Sequence, residues 1–230
     1  MATAENHLIE LLPPKDRQRL LAICDPIQLA LGTILAEPGD PTRHVYFPTD
    51  GFISLLTLID GEPALEVGMV GREGMVGTQL ALGVLKTPLR ALVQGEGATW
   101  RVASAAFRRE LARSTALQRL LNRYAYVLQV QLNTSAACLR FHQIGPRLAR
   151  WLLMSQDRAH SNNFQVTQEL LAYMLGIRRV SVTAAAGALQ HSRLIEYHRG
   201  NLTVLDRSGL EAAACSCYAS DRRAYAELLS

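Results

Sequence analysis

Between Ser104 and Ile144 the chain contains neither proline nor glycine, and an apolar position returns every three or four residues. Leu117, Leu121, Tyr124, Leu128, Leu132, Ser135 and Leu139 fall on one face at that spacing. The pattern predicts a single helix of roughly 30 residues, ending at Gly145-Pro146, where ~11–12 is the ordinary length. A helix so long must cover its stripe with something. Two partners fit the pattern: its own chain's β-structure, or a twin helix in a dimer. In the second case Leu117, Leu121, Tyr124, Leu128, Leu132 and Leu139 are the dimerisation surface.

What precedes the helix reads differently. Two short helices, about Asn6–Leu12 and Pro14–Cys24, are parted by Pro13-Pro14, with proline at a first-turn position. Short apolar runs then follow at Ile27–Leu31, Thr33–Ala36, His44–Phe47, Phe52–Ile59, Ala64–Met69, Ala91–Val93 and Thr99–Val102. Turn signals separate them, including Glu37-Pro-Gly-Asp40, Thr49-Asp-Gly51 and the Asp-Gly of Ile59-Asp60-Gly61-Glu62. Strands at such spacing predict an all-β sandwich or barrel, with a short helix over Met75–Leu82. The fold class is therefore α+β.

Charge narrows the function. The net +4 is unevenly placed: residues 1–139 carry 13 Lys/Arg and 13 Asp/Glu, whereas residues 140–210 carry nine arginines and four acids. All the excess positive charge thus lies in one segment, as phosphate neutralisation requires. No apolar run approaches the ~18 residues of a membrane span, and the N-terminus lacks the pattern of a secretory signal. A cytoplasmic protein with no membrane partner is expected. No nucleophile elbow, metal-ligand motif or phosphate-binding glycine loop is present, so an enzyme is not expected. Cys24, Cys138, Cys215 and Cys217 form no CxxC pair, and the reading is of reduced thiols without a metal. The Cys215-x-Cys217 pair is the one feature that could sense an oxidant or hold a metal. His7, His44, His142, His160 and His191 read as isolated residues, and Trp100 and Trp151 as core fillers.

The basic segment carries the sharpest signal. Thr167 is an N-cap candidate for a helix over Gln168–Leu175. Gly176 can take the left-handed conformation that ends that helix, and a second helix follows over about Arg178–Gln190. Ala172, Gly176 and Val182 have the small–glycine–aliphatic spacing of a helix-turn-helix. Its second helix opens Arg178-Arg179-Val180-Ser181-Val182-Thr183, groups suited to guanine edges and phosphates. Leu194–His198 and Leu202–Leu205, joined by Arg199-Gly200-Asn201, read as a hairpin wing with a cationic tip. The expected DNA contacts are Thr167, Gln168, Arg178, Arg179, Ser181, Val182, Thr183, His198 and Arg199.

On the stretch TQELLAYMLGIRRVSVTAAAGALQHSRLIEYHRGNLTVLD, and on the order of β-roll, long helix and winged helix-turn-helix, the chain resembles the Crp/Fnr family of bacterial transcription regulators. The resemblance runs from about residue 8 to 210. It implies an N-terminal double-stranded β-helix (jelly-roll) of the cyclic-nucleotide-binding type at 1–112, a dimerisation helix at 113–144 and a winged helix-turn-helix at 145–230. It implies double-stranded DNA, a second copy of the chain and RNA polymerase as partners. Gly71-Arg-Glu-Gly-Met-Val-Gly77 resembles the family's phosphate-binding cassette, which makes Gly71, Glu73, Gly74 and Arg90 the expected effector residues. Cyclic-nucleotide binders place an arginine, a small hydroxyl residue and alanine where this chain has Pro88-Leu89-Arg90-Ala91. The arginine is displaced by one residue, which on a strand turns it to the opposite face. The expectation is a sequence-specific homodimeric regulator that needs no cofactor and does not use cyclic AMP in the usual way. The alternative is a module whose DNA binding depends on cyclic AMP or another small ligand, with cyclic nucleotide as its cofactor. In the reading helix Arg179 matches an arginine that family members use on guanine, while Val180 and Ala184 replace their glutamate and second arginine. The N-terminal cysteine cluster of the iron–sulfur subfamily is missing.

Overall fold

The computed structural model describes residues 5–61 and 64–229; the hairpin expected over Ile59–Glu62 lies partly outside them. Two short helices, α1 (His7–Glu10) and α2 (Pro14–Leu21), lead into seven strands. These are β1 (Asp25–Leu29), β2 (Ile34–Ala36), β3 (His44–Pro48), β4 (Phe52–Thr57), β5 (Leu65–Val70), β6 (Arg90–Gly95) and β7 (Gly97–Ala103). The helix expected over Met75–Leu82 is a 3-10 turn confined to Thr78–Leu82. The strands make two antiparallel sheets, ordered β1-β7-β3 and β2-β6-β4-β5.

Strands β3 and β4 are covered on both faces, and strand alternation decides what each residue touches. In β3, Tyr46 points into the roll beside Ile53, Val70 and Val93, while Val45 and Phe47 join a helical core with Leu8, Phe107 and Leu121. In β4, Ile53 faces the roll, whereas Phe52 and Leu56 face the C-terminal helices. Burial on both sides explains why Phe52–Thr57 reads as a nearly continuous apolar run.

Helices α3 (Ser104–Arg113) and α4 (Thr115–Phe141) follow. The expected long helix exists, 27 residues of it, with its N-terminus capped by Ser114 Oγ accepting from the Leu117 amide at 3.0 Å. Its stripe, however, is divided. Leu117, Leu121 and Tyr124 are buried in the helical core of their own chain, so they are lost to a dimer surface. Leu128 is partly buried against the same core. Leu132 and Leu139 are exposed, as are Tyr126 and Phe141. A straight helix drifts relative to a fixed stripe, so the N-terminal half meets the β-domain and the C-terminal half turns away from it.

Beyond α4 come α5 (Ile144–Ala159), β8 (Asn163–Gln165), α6 (Gln168–Leu175), α7 (Arg179–His191), β9 (Ile195–His198), β10 (Asn201–Val204), α8 (Arg207–Ala213) and α9 (Cys217–Leu229). Pro146 sits in the first turn of α5, where its missing amide costs nothing. Helix α5 is buried on nearly all sides: Leu148, Leu152 and Leu153 share one core with Leu171, Val182 and Leu210, and with Phe52 and Met69 of the β-domain. Strand β8 and helices α8 and α9 were not anticipated from sequence. Strand β8 pairs with β10, and α9 packs along α4. Among the described residues no helix is long and apolar enough to cross a membrane.

Candidate nucleic-acid interface

Helices α6 and α7 are placed by local chemistry that the sequence dictates. Thr167 Oγ1 accepts from the Leu170 amide at 3.1 Å, capping α6. Gly176 closes it in the left-handed region, with φ +62°, and the Ile177 amide reaches back to the Ala172 carbonyl at 3.0 Å. The other end of the pair is held by α5. The Arg147 guanidinium, almost fully buried, donates to the Leu175 carbonyl at 2.5 Å and so supplies a cation at the negative C-terminus of α6. Sequence reasoning missed Arg147, because a lone arginine in a basic segment reads as surface charge.

The exposed face of α7 carries Arg179, Val180, Thr183 and Ala184, with Arg178 at its N-cap. No side chain caps this helix, so its first-turn amides and positive dipole end are available to a phosphate. Thr183 Oγ1 donates to Gln168 Oε1 at 2.7 Å, linking the two helices at their outer edge. Ser181 is half-buried. Val182 is the exception among the expected contacts: it is fully buried in the core. It holds α7 against α6 and α5 and cannot reach DNA, as the one aliphatic at this spacing that the helix-turn-helix needs inside.

Strands β9 and β10 pair antiparallel with His198 opposite Asn201, leaving Arg199-Gly200 as a two-residue loop. Both loop residues have positive φ, +49° and +84°, the conformation that matches the twist of a tight hairpin. Glycine takes it freely; arginine does so at a cost. His198 and Arg199 are exposed at the tip. The Tyr197 hydroxyl donates to the Val166 carbonyl at 2.7 Å, fixing the wing beside the start of α6. Burial raises the Tyr197 phenol above its ordinary pKa, opposed by nearby Arg179, so this donor keeps its proton.

Not all the basic residues serve this face. Arg150 pairs with Asp221 at 2.6 Å, Arg158 with Glu73 at 2.8 Å and Arg207 with Asp157 at 2.7 Å. With Arg147 these are four of the nine arginines counted above, and all four are structural. Arg140, Arg178, Arg179, Arg193 and Arg199 remain exposed.

The four expected effector residues do not converge. The Glu73 carboxylate is taken by Arg158, and Gly71 lies against the stem of that arginine. Gly74 abuts the Tyr124 ring, close enough that any side chain would collide with its hydroxyl. Arg90 Nε pairs with Glu37 at 2.9 Å, and that hydrogen bond raises its pKa further. The cleft between the roll and α4 is elsewhere. It measures about 430 Å³ and is lined by Val76, Gly77, Thr78, Pro88, Leu89 and Ala91, facing Ala125, Tyr126 and Leu132. The displaced Arg90 does point away from it, as the one-residue shift implies. Gly77, at φ +97°, and Thr78 were overlooked; they stand three and four residues beyond Gly74, where the same glycine-rich run ends.

Two further groupings join residues that lie far apart in sequence. Trp151 Nε1 of α5 donates to Glu66 Oε1 of β5 at 2.9 Å, while Ser54 Oγ donates to Oε2 at 2.5 Å. Burial pushes the Glu66 carboxyl up to about 7, against these hydrogen bonds and the charges of Arg158 and Arg150, which lower it. The second is the set Cys138, His142, Cys215 and Cys217. It corrects the reading of His142 as an isolated residue: its Nδ1 lies 3.4 Å from Cys217 Sγ. His7 is likewise not isolated, its Nδ1 lying 2.7 Å from the Tyr225 hydroxyl.

Residues 146–213 match the family model of the Crp-like helix-turn-helix domain. No curated protein sequence matches the chain. Among solved structures, FixK2 from Bradyrhizobium japonicum superposes with a TM-score of 0.71 at 13% identity, over 84% of this chain and 98% of that one. A transcriptional regulator assigned to the Crp/Fnr family from Eubacterium rectale gives 0.71 at 15% identity, over 92% and 99%. The c-di-GMP responsive global regulator CLP of Xanthomonas campestris gives 0.67 at 16% identity, over 84% and 99%.

Proposed function

From a chain that carries a Crp-like helix-turn-helix domain at residues 146–213 and has the fold of Crp/Fnr transcription regulators, we propose a homodimeric, cytoplasmic, sequence-specific regulator whose β-domain does not take cyclic AMP in the usual way. The observation that carries the DNA reading is the pairing of an uncapped, arginine-led α7 with a cationic wing tip fixed beside it. Arg179 and Thr183 face the base edges of a major groove; Arg178, His198 and Arg199 meet phosphates, which position without specifying. Thr167, Gln168 and Ser181 support the backbone contacts at the helix ends. Two such helices in a two-fold dimer reach half-sites about one helical turn, roughly 34 Å, apart.

The exposed part of α4, with Tyr126, Leu132, Leu139 and Phe141, is the dimer surface in this reading. The sensor unit is residues 1–112, α4 lies within 113–144, and 145–230 form the reading unit. RNA polymerase is a further partner. The departure from cyclic AMP rests on the cleft. Its described lining includes no arginine or lysine, and the one arginine of the matching strand is committed to Glu37. An anionic cyclic phosphate has no countercharge there.

The test is selection of bound sequences from randomised duplex DNA, followed by anisotropy on the recovered site at two salt concentrations, with and without cyclic AMP. A two-fold symmetric site whose affinity falls steeply with salt and ignores cyclic AMP is expected. A pool that stays random under every condition refutes the DNA reading. A site recovered only with cyclic AMP refutes the proposal for the cleft and favours the cyclic-nucleotide-dependent module.

A further inference from the structure

Four side chains from two separate places in the sequence meet at the end of α4. Cys138 lies in its last turn and His142 is its C-cap; Cys215 lies between α8 and α9, and Cys217 is the first residue of α9. Their ligand atoms, Sγ of each cysteine and a ring nitrogen of His142, all lie within 4.8 Å of one another. All three thiols are buried. We propose that Cys138, His142, Cys215 and Cys217 bind a single zinc ion that fastens the C-terminal segment to the end of α4.

The geometry is that of one coordination sphere. A tetrahedral zinc ion with Zn–S near 2.3 Å and Zn–N near 2.0–2.1 Å sets its sulfurs about 3.8 Å apart and a sulfur and nitrogen about 3.6 Å apart. Cys138 Sγ and Cys215 Sγ are 3.6 Å apart, and Cys217 Sγ and His142 Nδ1 are 3.4 Å apart. Two edges of the tetrahedron are thus present within ~0.2 Å of the required lengths. Three soft thiolates and an imidazole are a donor set that zinc prefers over harder cations such as magnesium or calcium.

Two other uses of these groups fit less well. A Cys138–Cys215 disulfide would occupy two sulfurs and leave Cys217 and His142 gathered around it for no purpose. An iron–sulfur cluster spreads its ligands over several irons, wider than a set confined to 4.8 Å. Charge also favours a metal. Zinc with three thiolates and a neutral imidazole carries one net negative charge, and Arg147 and Arg150 line the wall beside Cys138. The Arg147 guanidinium next to an anionic centre offsets part of its desolvation cost, while Arg150 is shared with Asp221. The four ligands complete the shell, so the site is closed and structural, with no open position for catalysis.

The experiment uses the full-length protein purified under reducing conditions. Its metal content is measured by mass spectrometry, and the chelator-stripped protein is titrated with cobalt(II) as a spectroscopic stand-in for zinc. One zinc per chain is expected, together with intense visible bands and a thiolate-to-cobalt charge-transfer band that saturate at one cobalt and are displaced by zinc. C138S and C215S should each lose the charge-transfer intensity of one thiolate and the stoichiometric zinc, H142A should bind more weakly, and C24S should behave as wild type. The wild-type titration is decisive by itself should a cysteine variant fail to fold. Zinc far below one per chain with no tetrahedral cobalt spectrum overturns the proposal. A Cys138–Cys215 disulfide in freshly reduced, metal-supplied protein does the same.

Discussion

Trp151 Nε1 sits 2.9 Å from Glu66 Oε1, and this hydrogen bond joins the first helix of the reading unit to the outer strand of the β-sandwich. The Glu66 carboxyl, raised to about 7 by burial, holds its proton in the folded chain at pH values where an unfolded chain has released it. The folded state therefore binds more protons between the ordinary carboxylate range and pH 7, and stability falls as pH rises through that window. Glu66→Gln keeps an acceptor for Trp151 and removes the ionisation. Because Glu66 is only partly enclosed, we expect the variant to gain about 1–3 kcal/mol over wild type at pH 8 and little at pH 5. Urea unfolding at pH 5, 6, 7 and 8 measures it, and parallel pH profiles for the two proteins would remove Glu66 from the account.

Arg179 and Arg199 should differ in kind, not in degree. Arg179→Ala should cost about 1–3 kcal/mol at the selected site and relax preference at the base pair it reads. Arg199→Gly should weaken binding to every sequence alike and reduce the salt slope by about one phosphate contact. The glycine also relieves a left-handed arginine, φ +49°, so the folded protein should gain about 1 kcal/mol. Anisotropy on cognate and scrambled duplexes, with thermal unfolding alongside, separates these outcomes. Equal loss of specificity from both variants would contradict the assigned roles.

Gly176 is tied to the β-domain as well as to its own turn. A methyl group there would come within 2.7 Å of Leu65 Cδ1, at a backbone φ of +62°. Gly176→Ala should lose about 1–2 kcal/mol from the backbone conformation alone, and more from the clash. Combining it with Leu65→Ala should recover the steric part only. Full recovery in the double variant would show that the left-handed turn carries no cost here.

The divided α4 stripe predicts two classes of variant. Leu132→Glu with Leu139→Glu, both exposed positions, should leave a folded monomer by sedimentation analysis and abolish binding to the two-fold site. Leu121→Ala should instead lower stability by about 2–5 kcal/mol, as a buried large-to-small change does, while folded molecules still dimerise. A folded dimer from the double glutamate variant would move the interface away from this face.

The strands, the long helix and the α6–α7 pair were legible because each depends on neighbours in sequence. Apolar runs between turn signals set the seven strand segments, spacing set α4, and Thr167 and Gly176 marked the ends of α6 by local hydrogen bonding. Side chains whose role is set by distant partners were not legible. Leu117, Leu121 and Tyr124 share one periodic stripe with Leu132 and Leu139, and periodicity shows that a face is apolar without showing what covers it. Glu73 and Arg158 are far apart in sequence, so an ion pair that disables one effector candidate left no local trace. Charge density misled in part for the same reason: Arg147, Arg150, Arg158 and Arg207 add to the basic segment yet spend their charge inside it. Cys138-x3-His142, on adjacent turns of one helix end, together with Cys215-x-Cys217, was the available sign of the thiol–imidazole cluster. Neither half has a metal-binding spacing that is specific by itself.

Cys138 and Cys215 stand 77 positions apart in the chain yet 3.6 Å apart in space. The chain that builds α5, the helix-turn-helix, the wing and α8 thus leaves and returns at one point. An excursion whose two ends coincide can be exchanged without stretching what it is attached to. Grafting a different winged unit between these two positions keeps the chain path intact, provided that the graft restores the faces met by Phe52, Leu56 and Met69, the Trp151–Glu66 hydrogen bond and the Arg158–Glu73 ion pair. The winged unit is thus joined to the rest of the chain through one covalent gateway, whatever faces it also packs against.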